Sequence, residues 1–148
     1  MKKKPFLILI ADDDEGDRIL FTDAFAELKI NTVVRTVNDG IELMNWLNDN
    51  DHPLPHFLFL DLNMPRKNGL ECLKEIRTSA KLKDIFVAIY STSDSEDDME
   101  DTFLNGANVY ITKPNDFNVL KQILNKVVSA TFIYEGDAFN RKNFLMRC

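Results

Sequence analysis

The sequence predicts an α/β fold in which five β-strands alternate with five α-helices. Short apolar runs recur along the chain, and the segments between them carry apolar residues at helical spacing. Strands that alternate with helices in this way form a parallel sheet that is covered by helices on both faces. The length of 148 residues fits one domain with a sizeable apolar core.

The first two strands are predicted at Phe6–Ala11 and Thr32–Val37. The first is a continuous apolar run, which is typical of a strand buried on both faces, and the second is rich in β-branched residues. Between them, residues 14–28 carry apolar side chains that form one stripe of a helix. A short helix rich in Leu, Met and Trp follows at residues 41–47.

The third strand is predicted at Phe57–Leu60, after a polar loop that contains proline. Residues 69–77 are predicted to be helical because their apolar residues lie three positions apart. The fourth strand is expected at residues 85–90, and an acidic helix follows at residues 95–105. The Asn-Gly pair at the end of that segment is a typical helix stop.

The fifth strand is expected at residues 109–111, and the last helix at residues 116–128, where the apolar residues share one face. We therefore assign residues 1–130 to one domain. Residues 131–148 form a C-terminal extension with several aromatic residues, and its sequence does not indicate a structure.

The composition excludes several classes of protein. A formal net charge of −6 does not suit a nucleic-acid-binding protein, which would carry a basic face. No apolar stretch approaches the ~18–20 residues of a membrane span. Cys72 and Cys148 have no spacing that suggests a zinc site or a disulfide framework. We therefore expect a cytoplasmic protein that binds neither nucleic acid nor membrane.

Polar side chains of catalytic type follow the apolar strands. Asp12 and Asp13 follow the first strand, Asp61 follows the third, and Ser91 and Lys113 end the fourth and fifth. Because the carboxyl ends of neighbouring parallel strands lie on one edge of a sheet, we expect these side chains to share a pocket. Each residue alone would be read as a helix cap or a turn. The ordered set is what predicts a site.

Three carboxylates in one pocket indicate a bound cation. Two like charges ~4 Å apart cost on the order of 4 kcal/mol at an effective dielectric constant of ~20, so the pocket must take up a proton or a cation. Oxygen ligands without His or Cys suit Mg²⁺. A carboxylate such as Asp61 can also act as a nucleophile and form an aspartyl-phosphate. Lys113 would supply positive charge and Ser91 a hydroxyl donor to the phosphate.

The ordered set resembles the receiver domain of bacterial two-component response regulators over residues 5–130. LILIADDDE is similar to the first strand and acidic pocket of a receiver, and FLFLDLNMPRKNGLE to the phosphoacceptor strand and its loop. VAIYSTS matches the position of the switch hydroxyl, and VYITKP that of the lysine. The resemblance implies a doubly wound, flavodoxin-like (βα)₅ fold with the strand order 2-1-3-4-5.

The resemblance also implies roles for the residues of the site. Asp61 would accept a phosphoryl group from a phosphohistidine, and Lys113 would pair with Asp61 and then with the phosphate. Ser91 would move toward the phosphate, and Tyr110 would change rotamer as space opens behind it. The bond between Lys113 and Pro114 would be a cis peptide.

The same resemblance implies a divalent metal site for Mg²⁺ or Mn²⁺. Asp13 and Asp61 would bind the ion directly, together with the backbone carbonyl of Asn63, and Asp12 would act through water. Two other classes also place polar groups at this edge. A phosphatase of the haloacid-dehalogenase type would need a carboxylate where this chain has Asn63. A flavodoxin-like electron carrier would need a Ser-, Thr- and Gly-rich loop where this chain has DDDEGD.

Partner proteins follow from the resemblance as well. A sensor histidine kinase or a histidine phosphotransfer protein would donate the phosphoryl group, and an unidentified downstream protein would receive the signal. Such a receiver catalyses only its own phosphotransfer and dephosphorylation, so it is not an enzyme with a separate substrate. The motif DLNMPRKNG and the terminal extension are similar to single-domain receivers that pair with phytochrome-type sensor kinases. Some of these dimerise, so a homodimer is one expected assembly.

Overall fold

Strands and helices alternate along the chain, as the sequence predicts. The computed structural model describes residues 5–133 and 145–146, with side chains over residues 5–129. In chain order the elements are β1 Phe6–Ala11, α1 Glu15–Ala26, β2 Thr32–Val37, α2 Gly40–Asn48, β3 Phe57–Leu60, α3 Gly69–Thr78, β4 Phe86–Ser91, α4 Glu96–Leu104, β5 Val109–Thr112, α5 Phe117–Ile133 and β6 Leu145–Met146. Among the described helices, none is long and apolar enough to cross a bilayer.

The sheet is parallel, and its strand order β2-β1-β3-β4-β5 is the predicted one. The structure adds one strand to the five that were predicted. Leu145 and Met146 form β6, which pairs in parallel with Tyr110 and Ile111 of β5. Part of the C-terminal extension therefore belongs to the sheet, whereas residues 134–144 and 147–148 lie outside the described residues.

Two apolar layers bury the two faces of the sheet. In β1, Leu9 contributes to the layer beneath α2, α3 and α4, whereas Ile8 contributes to the layer beneath α1 and α5. The second layer is the aromatic one, because Phe21 and Phe25 of α1 lie against Phe59 of β3, with ring centroids 4.9 and 6.0 Å away. Burial on both faces explains why the inner strands read as continuous apolar runs.

Side-chain caps, rather than the ends of apolar stripes, set where the helices begin. Asp14 caps α1 by accepting a hydrogen bond from the Asp17 N–H at 2.8 Å, so the helix begins at Glu15. Asn68 and Glu71 form a capping box at the start of α3.

Several other boundaries differ from the prediction, mostly by one or two residues, and two of them have a clear cause. The fourth strand begins at Phe86, because the N–H of Ile85 bonds back to the Leu82 carbonyl in a turn. The last helix continues to Ile133, since residues 129–133 contain no Gly or Pro to stop it.

Arg77 at the end of α3 holds together the amino edge of the sheet. Its Nε donates to the Gly106 carbonyl at 2.9 Å. Its Nη1 donates to the carbonyls of Lys83 at 2.9 Å and Ile85 at 2.7 Å. Its Nη2 donates to Asn108 Oδ1 at 2.9 Å. One side chain thereby ties α3 to the loops that enter β4 and β5, and all four acceptors are neutral oxygens.

Candidate functional site

The carboxyl edge of the sheet carries the polar residues that the sequence singled out. The Asp61 N–H donates to the Ala11 carbonyl at 3.0 Å, and the Lys113 N–H donates to the Ser91 carbonyl at 2.8 Å. These bonds extend the β1–β3 and β4–β5 pairing by one residue beyond the strands. The side chains that follow neighbouring strands therefore emerge at the same edge of the sheet.

Three of these side chains form a carboxylate cluster. Oxygen atoms of Asp12, Asp13 and Asp61 all lie within 4.8 Å of one another. Asp12 is fully buried and Asp61 is 5% exposed, whereas Asp13 faces solvent. Hard oxygen donors without His or Cys fit Mg²⁺ or Mn²⁺ rather than a soft metal. The open side at Asp13 suits an ion that keeps part of its water shell.

Burial makes Asp61 difficult to ionise. It raises the pKa of Asp61 to about 6, and the neighbouring carboxylates of Asp12 and Asp13 add to the effect. Lys113 and the backbone N–H of Asn63 oppose the rise in pKa, because each stabilises the charged carboxylate. Any added positive charge in the cluster would therefore favour the nucleophilic, ionised form of Asp61.

Lys113 lies deep in the site, where its side chain is 9% exposed. Its Nζ is 2.7 Å from Asp12 Oδ2 and 2.8 Å from Asp17 Oδ2, but 3.8 Å from Asp61 Oδ2. The ammonium also lies 5.3 Å from the centre of the Tyr90 ring. Burial alone would lower the pKa of Lys113, but the hydrogen bonds to the two aspartates outweigh it and raise the pKa. Lys113 is therefore a fixed positive charge, and its short contacts are with Asp12 and Asp17 rather than with Asp61.

Asp17 is a residue of the site that sequence reasoning missed. Acidic residues in the first turn of a helix are common because they complement the helix dipole, and Asp17 shares that turn with Glu15. The signal that could have found it is helical periodicity. Asp17 lies one turn before Phe21, which is fully buried, so its side chain points toward the sheet rather than away from it.

The hydroxyl of Ser91 is fully buried at the end of β4. Its Oγ accepts a hydrogen bond from the Ser93 N–H at 3.1 Å. Tyr110 of β5 is also fully buried, and its hydroxyl donates to the Ser93 carbonyl at 2.8 Å. Burial raises the pKa of Tyr110. Ser91 and Tyr110 thus both form hydrogen bonds with the backbone of Ser93. The side chain of Ser93 is linked to α4, because its Oγ donates to Asp98 in the first turn of that helix at 2.6 Å.

The loop after Asp61 packs so closely that it requires glycine. A Cβ atom on Gly69 would lie 2.2 Å from the Asp61 carbonyl oxygen, so α3 begins in direct contact with the backbone of the nucleophile candidate. Within the same loop, the side chain of Asn63 is exposed, and the role of its carbonyl as a metal ligand stays a prediction. No cis peptide bond occurs in the described residues, so the expectation of a cis bond between Lys113 and Pro114 is wrong.

Comparisons with known proteins agree with this geometry. A family model described as the response regulator receiver domain matches residues 8–125. The probable methanogenesis regulatory protein FilR2 of Methanothrix harundinacea (strain 6Ac) is 31% identical over 126 residues, which cover 83% of this chain and 81% of FilR2. The response regulator Rcp1 of Synechocystis sp. (strain ATCC 27184 / PCC 6803 / Kazusa) is 30% identical over 129 residues, covering 84% of this chain and 88% of Rcp1.

Solved structures show the same fold. The phosphorylated cyanobacterial phytochrome response regulator RcpA superposes with a TM-score of 0.79 at 33% identity, covering 88% of this chain and 96% of RcpA. The Mn²⁺-bound form of Rcp1 superposes with a TM-score of 0.77 at 28% identity, covering 92% and 99% of the two chains. This chain therefore belongs to the response regulator receiver domain family, as the family match shows and as the parallel sheet and the acidic cluster at its carboxyl edge agree.

Proposed function

We propose that the chain is a stand-alone response regulator that accepts a phosphoryl group on Asp61. The observation that carries the proposal is the position of Asp61. It is buried at the carboxyl edge of the sheet, with Asp12 and Asp13 beside it and Lys113 Nζ at 3.8 Å. No separate substrate is turned over, so the reaction is the transfer to Asp61 and the later loss of the phosphate. The receiver domain in this proposal spans residues 1–130, with residues 131–148 as an extension.

The transfer is a substitution at phosphorus. An Asp61 carboxylate oxygen forms the new O–P bond while the P–N bond to a phosphohistidine breaks and the imidazole takes the electron pair. Asp12, Asp13 and Asp61, with the Asn63 carbonyl, would hold Mg²⁺ or Mn²⁺, which supplies positive charge to the phosphoryl oxygens when bound. The Mn²⁺-bound form of Rcp1 supports this assignment. Lys113 is the second positive charge, because its ammonium already lies in the pocket.

The signal then passes through the hydroxyl groups of Ser91, at the end of β4, and of Tyr110, within β5. Ser91 turns its hydroxyl toward the phosphate and so changes its contact with the Ser93 N–H. The hydroxyl of Tyr110 donates to the Ser93 carbonyl, so a shift of the Ser93 backbone breaks that bond and allows Tyr110 to adopt a new rotamer. The start of α4 follows, because Ser93 also bonds to Asp98.

The partners in this proposal are proteins. The donor is a sensor histidine kinase or a histidine phosphotransfer protein, and the similarity to the phytochrome response regulator RcpA favours a phytochrome-type kinase. A downstream protein or a second copy of the chain reads the phosphorylated form. We place this exchange in the cytoplasm because the two cysteines show no disulfide pattern.

The proposal is tested by treating the protein with acetyl phosphate and Mg²⁺ and measuring intact mass. We expect the wild-type chain to gain one phosphoryl group, which hydroxylamine removes because an acyl phosphate is labile to it. Asp61→Asn should gain none, and the matched control Asp23→Asn, on the exposed side of α1, should be labelled like wild type. Equal labelling of Asp61→Asn, or a hydroxylamine-stable adduct, would overturn the assignment.

A further inference from the structure

The two short ion pairs of Lys113 are unequal. Asp12 and Asp17 accept from the same ammonium at 2.7 and 2.8 Å. The Asp12 side chain has no exposure to solvent, whereas that of Asp17 is 32% exposed. Water can therefore solvate Asp17 after the ammonium has left it, but cannot do so for Asp12 without opening the core.

The geometry leaves Asp61 without a short bond to the lysine. An ammonium has three N–H donors, and carboxylates at 2.7 and 2.8 Å occupy two of them. Asp61 lies 3.8 Å away, beyond hydrogen-bond distance. Asp17 is fixed in turn by the cap of α1, since its own N–H donates to Asp14 Oδ1 at 2.8 Å. The position of the ammonium is therefore set from α1 as well as from the sheet.

We propose that Asp17 is a positioning residue that holds the Lys113 ammonium away from Asp61 in the resting protein and releases it when Asp61 carries a phosphoryl group. This inference rests on the proposed function, because it concerns the same transfer to Asp61. Lys113 then exchanges Asp17 for a phosphoryl oxygen and keeps Asp12. Breaking the contact with Asp17 is a fixed cost of entering the phosphorylated state, and that cost lowers the affinity of the site for a phosphoryl group.

The inference predicts the direction of a substitution. Asp17→Asn keeps the shape of the side chain but removes its charge, so Lys113 should leave it more easily. An ion pair with a partly exposed partner shifts an equilibrium by about two- to fivefold. We therefore expect Asp17→Asn to bind beryllofluoride, an analogue of the phosphoryl group, about threefold more tightly than wild type.

The experiment titrates beryllofluoride into the protein at saturating Mg²⁺ and follows the bound anion by ¹⁹F NMR. Asp23→Asn is the matched control, because it removes the same charge from an exposed position of the same helix. Measuring at high ionic strength suppresses the general field of either carboxylate, whereas a contact with Lys113 persists. Tighter binding by Asp17→Asn alone supports the inference. Equal affinities, or weaker binding by Asp17→Asn, overturn it.

A second measurement tests the resting contact without the analogue. The ¹⁵N-labelled ammonium of Lys113 should exchange its protons slowly in the wild type, because carboxylates hold it on two sides. Asp17→Asn should speed this exchange and Asp23→Asn should not. Unchanged exchange in Asp17→Asn would overturn the inference even if the affinities differ. If the wild-type protein takes up neither acetyl phosphate nor beryllofluoride, the proposed function fails and the inference fails with it.

Discussion

At the carboxyl edge of the sheet, charged groups face one another, whereas at the amino edge the Arg77 guanidinium meets neutral oxygens. Around Asp61, three carboxylates share one pocket with Lys113, and burial raises the pKa of Asp61 to about 6. Around Arg77, three backbone carbonyls and Asn108 Oδ1 each accept one hydrogen bond. Burial also disfavours the charged form of Arg77 and lowers its pKa, but its four hydrogen bonds satisfy nearly all of its donors.

The difference shows how one sheet can separate stability from function. A fold tolerates a buried charge when nearly all of its hydrogen-bonding groups are satisfied, and it is destabilised when like charges remain close together. The amino edge belongs to the first case. The carboxyl edge belongs to the second, and a ligand that brings positive charge can relieve it. The folded protein tolerates the carboxyl edge because interactions elsewhere, including the Arg77 network, stabilise the same sheet.

The largest expected effect is at the amino edge. Arg77→Met keeps much of the apolar side chain but removes every donor, so the carbonyl of the buried residue Ile85 loses its bond to Arg77 and the link from α3 to the loops before β4 and β5 is lost. We expect the free energy of unfolding to fall by about 3 kcal/mol, as measured by urea denaturation. Arg66→Met is the matched control, since the Arg66 side chain is 62% exposed and bonds to Asp39 at 3.2 Å. It should cost less than about 1 kcal/mol. Equal losses in the two variants would remove the basis of the comparison.

The next effect has the opposite sign. Asp61→Asn should stabilise the metal-free protein by about 2 kcal/mol at about pH 8, because ionising Asp61 in the fold is costly. The pKa of Asp61 is about 6 in the folded protein, above its ordinary value of 3.8. The ionised form therefore weakens the fold above about pH 6, and the penalty disappears below about pH 4, where folded and unfolded chains are both protonated.

Urea denaturation of both proteins across this pH range, with a chelator present, checks the expectation. The gap in stability between Asp61→Asn and wild type should close as the pH falls. A gap that stays constant with pH, or a variant less stable than wild type at pH 8, would show that Asp61 is not destabilised by burial.

The smallest of the three effects concerns the cation. Mg²⁺ at about ten times its dissociation constant should stabilise the wild-type protein by about 1.4 kcal/mol, since it binds the folded chain. Asp61→Asn should lose most of this gain, and Arg77→Met should keep it, because Arg77 lies at the other edge. Thermal denaturation with Mg²⁺ or with a chelator measures the difference. A similar gain in Asp61→Asn and wild type would place the cation elsewhere.

Much of the fold could be read from local patterns. β1, β2 and β3 have the bounds that the sequence predicts. β1 and β3 are inner strands, which are apolar throughout and end abruptly, whereas β2 lies at the edge and was recognised by its β-branched residues. Helix starts were less accurate, since the cap residue and the first helical residue look alike in a periodic pattern. The strand at Leu145–Met146 could not be predicted, because its pairing with β5 depends on long-range contacts and two residues carry no periodic signal.

The closeness of the side chains at the carboxyl edge was predictable from the sequence, and the choice of ion-pair partners was less so. Strand ends bring Asp12, Asp61 and Lys113 together whatever their neighbours are, so topology alone was enough. The choice of partner by Lys113 depends on where α1 turns its first acidic residues. Nothing in the strand pattern describes that, and Asp17 was missed for this reason. Its place one turn before the buried Phe21 is a signal that could be applied to similar chains.

The margins of the sheet bear on how the chain behaves at high concentration. An exposed edge strand can pair with the edge strand of a second copy, and such pairing leads to aggregation. On one side, β2 displays the exposed cation of Arg35, which discourages such contacts. On the other side, Leu145 and Met146 already pair with Tyr110 and Ile111 of β5. A chain truncated before Leu145 would expose the edge of β5. We expect such a chain to aggregate, even though the residues of the phosphorylation site are unchanged.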